Sequence, residues 1–126
     1  MLLRQTLLFI YQYGNLSLSK GLFYGLLVVF YLMLSAPADT VSTYQVNDKV
    51  IHLVLFFGLM GLAHITHPQI QLLKLAFPLA VYGLATELSQ GLLPDRDASI
   101  YDWIADLGGI VLAMGLIRLL KSLAKL

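Results

Sequence analysis

Four side chains able to do acid–base or metal chemistry lie within or at the edge of apolar stretches: His52, Glu87, Asp102 and Asp106. Imidazole and carboxylate groups can relay protons or offer N and O ligands of the kinds that hold Zn or Mn. Their spacing favours convergence. Asp48 and His52 are four residues apart and share a helix face, and Glu87 and Gln90 are three apart. Asp102, Asp106, Gly109 and Ala113 form one stripe, at steps of four, three and four. Lys49 and Arg96 lie beside these groups in sequence, and the planar fork of an arginine suits phosphate. The chain has no cysteine, which excludes disulfides, thiol catalysis and zinc–thiolate sites.

Each of these residues also has a structural explanation. A carboxylate inside a membrane span costs at least about 2.5 kcal/mol on insertion scales unless it is paired or hydrated. Glu87 and Asp106 are therefore site residues, or members of an ion-pair cluster with Arg96 or Lys49 that fixes helix register. Asp102 is either a site residue or the acidic partner of Ser99 in a capping box. Asp48 at a helix start is favoured by the helix dipole as well. Gly109 and Ala113 are expected to pack helices closely. Trp103 is read as an interfacial anchor. His64, His67, Asp39, Asp95 and Asp97 are read as solvated.

The elements that must position these groups are membrane helices. Of 126 residues, 59% are hydrophobic and only 12% charged. A soluble domain carries about 25% charged residues, and a chain this short cannot bury so much apolar surface in a water-facing fold. Apolar runs long enough to approach a bilayer crossing lie at about 18–36, 50–65, 72–93 and 100–120. The expected architecture is all-α: four transmembrane helices in an up-and-down bundle, in a single domain over 1–126. None of the runs alternates as a barrel strand does. Met1 to Tyr13 is too short to span and reads as an interfacial helix. Lys20, the apolar run after it and Ala36-Pro37-Ala38 also resemble a signal peptide, a reading disfavoured by the length of chain before Lys20. Arg4, Lys20, Lys74, Arg118, Lys121 and Lys125 fall on one side of this topology. By the positive-inside tendency both termini then lie in the cytoplasm, and the polar constellation lies at the opposite face. A net charge of +1 gives no footing for a nucleic-acid partner.

Two stretches resemble the VanZ-like family. Asp48-Lys49-Val50-Ile51-His52 before an apolar helix is similar to one signature. Glu87-Leu88-Ser89-Gln90, then Arg96, Ser99 to Asp102, Asp106 and Gly109, is similar to the other. The resemblance covers 48–115; the first helix matches only in character. Where the family often has Asn, this chain has Asp106, which brings a charge as well as a hydrogen bond. The resemblance implies a multi-pass protein of a bacterial inner or plasma membrane, in a family whose founding member is associated with teicoplanin resistance. It names no reaction.

Three functions compete at this stage. The first is binding of an anionic lipid or lipid-linked envelope precursor, with Lys49, Arg96 and His52 on phosphate. The second is a structural or interaction subunit, docking another membrane protein, whose polar cluster fixes packing. The third is metal-assisted hydrolysis of a lipid pyrophosphate by His52, Glu87, Asp102 and Asp106, against which stands the lack of a compact metal motif such as H-E-x-x-H. Expectation leans away from an enzyme. No haem, flavin or nucleotide cofactor is expected, since no Gly-rich phosphate loop is present, and Gly108-Gly109 falls inside the fourth helix.

Overall fold

A chain of apolar runs joined by short polar links satisfies its backbone in lipid by forming helices. The computed structural model describes residues 5–6, 17–36, 47–94 and 96–125. Among them are four long helices: α1 Ser17–Leu34, α2 Asp48–Thr66, α3 Leu72–Gln90 and α4 Ile100–Ala124. Of the four expected spans, α2, α3 and α4 are long and apolar enough to cross a membrane, whereas the apolar part of α1, Leu18–Leu34, is shorter. Met1 to Tyr13, apart from Gln5 and Thr6, and residues 37–46 lie outside the described residues. So do the interfacial-helix reading, most of the cleavage-site motif, and Asp39 and Asp95.

The helix ends differ from the expected ones for local reasons. α1 stops at Leu34 rather than 36, because the residue before Pro37 is pushed out of the helical region. α2 begins at Asp48, where the Asn47 side chain accepts the Lys49 N–H and caps the first turn. α3 ends at Gln90 rather than 93, where Gly91 turns its N–H back to the Glu87 carbonyl. α4 runs on to Ala124 rather than 120 and so takes Lys121 into its last turn, one turn beyond Arg118. Long aliphatic stems let such residues reach from an apolar face toward the interface.

Side-chain contacts fix the directions. Tyr24, early in α1, lies against His67, just past α2. The Leu34 carbonyl at the end of α1 meets Gln90 at the end of α3. His52 near the start of α2 bonds Asp106 near the start of α4. The helices thus alternate in direction. α2 and α4 run parallel and share the most extensive contact, while α1 packs on α2 and, to a lesser extent, on α3.

Gly109 explains the closeness of α2 and α4. A Cβ at that position would collide with the Leu53 carbonyl and stand 2.8 Å from the Phe57 nitrogen. Beyond it Ala113 is buried, in a core with Phe56, Leu59, Met60, Ala63, Leu79, Ile110 and Met114. Large apolar side chains such as Val28, Leu32, Val54, Phe77, Val111 and Leu119 face outward. The fold is therefore polar inside at one end and apolar around its circumference, the reverse of a water-soluble bundle.

Candidate functional site

At the end of the bundle where α2 and α4 begin and α3 finishes, three helices place polar side chains on a common interior. His52 comes from the second turn of α2, Glu87 from the last turn of α3, and Asp106 from the second turn of α4. All three are buried, His52 and Asp106 completely. The His52 Nδ1 lies 2.8 Å from an Asp106 carboxylate oxygen, a short charge-assisted hydrogen bond. On the other side of the ring, Nε2 faces Glu87 Oε1 at 3.7 Å, too far for a direct hydrogen bond.

Glu87 is held by its second oxygen, which accepts the Ser99 backbone N–H at 3.0 Å. This overturns the capping-box reading. Ser99 does stand at the N-cap of α4, but it makes no side-chain cap bond, and the carboxylate that takes its N–H comes from α3 rather than from Asp102. Asp102 is buried and instead attracts Lys49, whose Nζ lies 3.4 Å from Oδ1. That oxygen makes no hydrogen bond, so the contact is one of charge alone. The Lys49 side chain is 51% exposed, and Asp48 beside it is exposed. These two residues form the mouth of the cluster.

Gln90 and Arg96 have a different attachment. Gln90 donates from Nε2 to the Leu34 carbonyl at 2.6 Å, and Arg96 donates from a guanidinium nitrogen to the same oxygen at 2.9 Å. They satisfy a carbonyl at the C-terminus of α1, where no intrahelical donor is available, and so fasten α1 to the polar end. Arg96 does not pair with Glu87 or Asp106: among the described residues, the ion-pair contacts are Lys49–Asp102 and His52 with its two carboxylates.

Three buried side-chain atoms at the centre have no hydrogen-bond partner: His52 Nε2, Glu87 Oε1 and Asp106 Oδ2. Buried polar atoms in native proteins are nearly always paired. A purely structural network is expected to close on itself, and this one leaves His52 Nε2 facing Glu87 Oε1 and sets Asp106 Oδ2 against Gly83.

Several contributors were not singled out in the sequence. Gly83 lies one turn before Glu87, and a Cβ there would come within 2.7 Å of Asp106 Oδ2 and 3.2 Å of the Phe56 ring. Its place four residues from Glu87, on the same face, is the signal that marks it. Thr86 is fully buried and donates to the Gly83 carbonyl at 2.7 Å. Trp103 does more than anchor at an interface: its indole N–H donates to the Ala80 carbonyl at 3.0 Å and ties α4 to α3.

At the opposite end, the histidines are not solvated as expected. His64 is buried. His67 is half-buried between Thr66 Oγ1 at 2.8 Å and Tyr24 Oη at 3.3 Å. For His67 the cause is α1, whose Phe23 and Tyr24 rings both lean on it.

No protein-family model matches the chain, and neither a curated protein nor a solved structure matches it.

Proposed function

We propose that this protein is a VanZ-like, four-span protein of a bacterial inner membrane that binds an anionic lipid or lipid-linked envelope precursor. Both termini lie in the cytoplasm, and the His52–Glu87–Asp106 end faces outward. Through such a lipid the protein affects susceptibility to teicoplanin. The observation that carries the reading is the set of unpartnered buried atoms behind a half-exposed lysine. A cluster that served packing alone would gain by closing its own hydrogen bonds. Lys49 at the mouth meets a headgroup phosphate, the remaining N–H groups of Arg96 add donors at the rim, and the apolar circumference accommodates acyl or prenyl chains. The membrane identity, the orientation and the lipid class rest on the family resemblance and on the distribution of basic residues. Lys20, Lys74, Arg118, Lys121 and Lys125 lie toward the end remote from His52.

The test is mass spectrometry of lipids retained by gently purified protein, comparing the wild type with Lys49→Ala and with a folded Lys49→Ala/Arg96→Ala variant. Selective retention of a polyprenyl phosphate or another anionic lipid, lost in the variants, is the expected result. Bulk phospholipid in every sample would instead favour the structural reading, in which the cluster sets helix packing.

A further inference from the structure

The binding reading leaves an electrostatic difficulty. Around His52 stand four carboxylates, Asp48, Glu87, Asp102 and Asp106. Lys49 faces only Asp102, and Arg96 is engaged with the end of α1. Glu87 and Asp106 thus have no lysine or arginine within ion-pair distance among the described residues. An anionic headgroup brought to this interior would meet a negative field.

We propose that His52 Nε2 and Glu87 Oε1 hold a divalent metal ion of the Zn or Mn type, with Asp106 as the positioning residue. The inference rests on the lipid-binding reading for its role: the cation presents its open coordination positions to a headgroup phosphate.

The geometry argues for this in three ways. First, with His52 Nδ1 bonded to Asp106, Nε2 has no hydrogen-bond partner and faces an unpartnered carboxylate oxygen; in the neutral ring that nitrogen carries the lone pair a metal would take. A carboxylate on one ring nitrogen is the usual support of a histidine that binds metal through the other. Second, the spacing suits a cation better than a water. Donors 3.7 Å apart subtend roughly 120° at an ion about 2.1 Å from each. At a water hydrogen-bonded about 2.8 Å from each, they subtend only roughly 80°. Third, one donor atom each from His52, Glu87 and Asp106 lies within 4.8 Å of the others, and the same holds for Asp48, His52 and Asp102. The second set shares His52 and includes the exposed Asp48.

Imidazole with carboxylate suits Zn or Mn better than Mg or Ca, which prefer all-oxygen shells. Two protein ligands leave at least half of the coordination sphere for water or phosphate oxygens, one position more than in an open three-ligand zinc site. The cation neutralises two carboxylates that otherwise share one imidazole, and it turns a negative interior into one that accepts a phosphate.

The test uses full-length protein in detergent micelles or nanodiscs, stripped with chelator and reloaded with Zn2+, Mn2+ or Co2+. About one equivalent per chain is expected to survive desalting. Glu87→Gln should lower affinity by at least tenfold, and Asp106→Asn by on the order of 10–100-fold, with helical content unchanged. Because Glu87→Gln also disturbs the Ser99 contact, Co2+ absorption of the wild type is the second measurement. A histidine-bound, low-symmetry spectrum supports the site, and the spectrum of hydrated Co2+ overturns it. Retention of metal at wild-type affinity in both variants also overturns it. Lipid analysis of the stripped protein separates the two readings. Selective lipid retention without metal removes the cation and leaves the lipid site standing. Tight metal binding with only bulk phospholipid does the reverse.

Discussion

The two ends of the bundle each bury a histidine of α2, and they treat it differently. At one end His52 is sealed between Asp106 and Glu87. At the other, His64 is buried with Nδ1 unpartnered, three residues from His67, whose neighbours are the neutral hydroxyls of Thr66 and Tyr24. Both positions lie on the buried face of one helix, so burial alone does not make a site. What differs is the charge that α3 and α4 deliver. Near His52 they bring Glu87 and Asp106. Near His64 the charged group is the α4 lysine Lys121, of the same sign as a protonated imidazole.

The largest expected effect comes from breaking the seam that brings the carboxylates to His52. Gly109→Val drives its side chain into the Leu53 and Phe57 backbone, which cannot retreat as a flexible side chain would. A loss of about 3 kcal/mol or more is expected. Thermal unfolding followed by the fluorescence of Trp103, the single tryptophan, measures it. Gly115→Ala is the control, since nothing lies within 4 Å of a Cβ there; that variant should unfold no earlier than the wild type.

Next comes the direct comparison of the two histidines by the same substitution. His52→Leu strips Asp106 of its hydrogen-bond partner and sets an apolar side chain against Glu87 Oε1, at a cost of about 3 kcal/mol, the upper end for a buried group left unsatisfied. His64→Leu removes a buried nitrogen that has no partner and is expected to be neutral or slightly stabilising. Equal destabilisation by the two changes would dissolve the distinction between the ends.

A smaller effect is expected at Gly83, where the two carboxylate-bearing helices come closest to the cluster. Gly83→Ala places a methyl 2.7 Å from Asp106 Oδ2. The carboxylate must shift, lengthening its bond to His52, with an expected loss of about 1–3 kcal/mol. The companion Gly58→Ala, with nothing within 4 Å, should behave as wild type. If both variants unfold together, Gly83 does not shape the cluster.

The sequence carries much of this arrangement, and unevenly. Apolar runs and short links place four helices in order, and i, i+4 and i, i+3 spacing puts Asp102, Asp106 and Gly109 on one face. Those are local properties, readable from one helix at a time. Helix ends and pairings are less legible, because they depend on partners from elsewhere in the chain. Ser99 followed by Asp102 has the form of a capping box, yet the Ser99 N–H goes to Glu87, twelve residues back and on another helix. Gln90 and Arg96 are polar residues near a candidate site, yet both answer to the Leu34 carbonyl. The half-buried state of His67 follows from where α1 lies, which no spacing within α2 encodes.

The smallest effect on stability, and the one that best separates site from scaffold, is expected at the mouth. Lys49 is half in solvent and meets Asp102 at 3.4 Å without a hydrogen bond. Only the lysine is in solvent while Asp102 is buried, so the loss lies at the top of the range for exposed pairs, about 0.2–1 kcal/mol, and Lys49→Ala should unfold about 1 kcal/mol below the wild type. If the lysine is part of the scaffold, its loss does nothing beyond that. If it receives a headgroup, selective retention of anionic lipid falls sharply in a protein whose fold is intact. Lys49→Arg then restores retention, since charge is kept, whereas Lys49→Gln does not. A variant series in which retention follows stability rather than charge would place Lys49 with Gln90, as a residue that holds the bundle together.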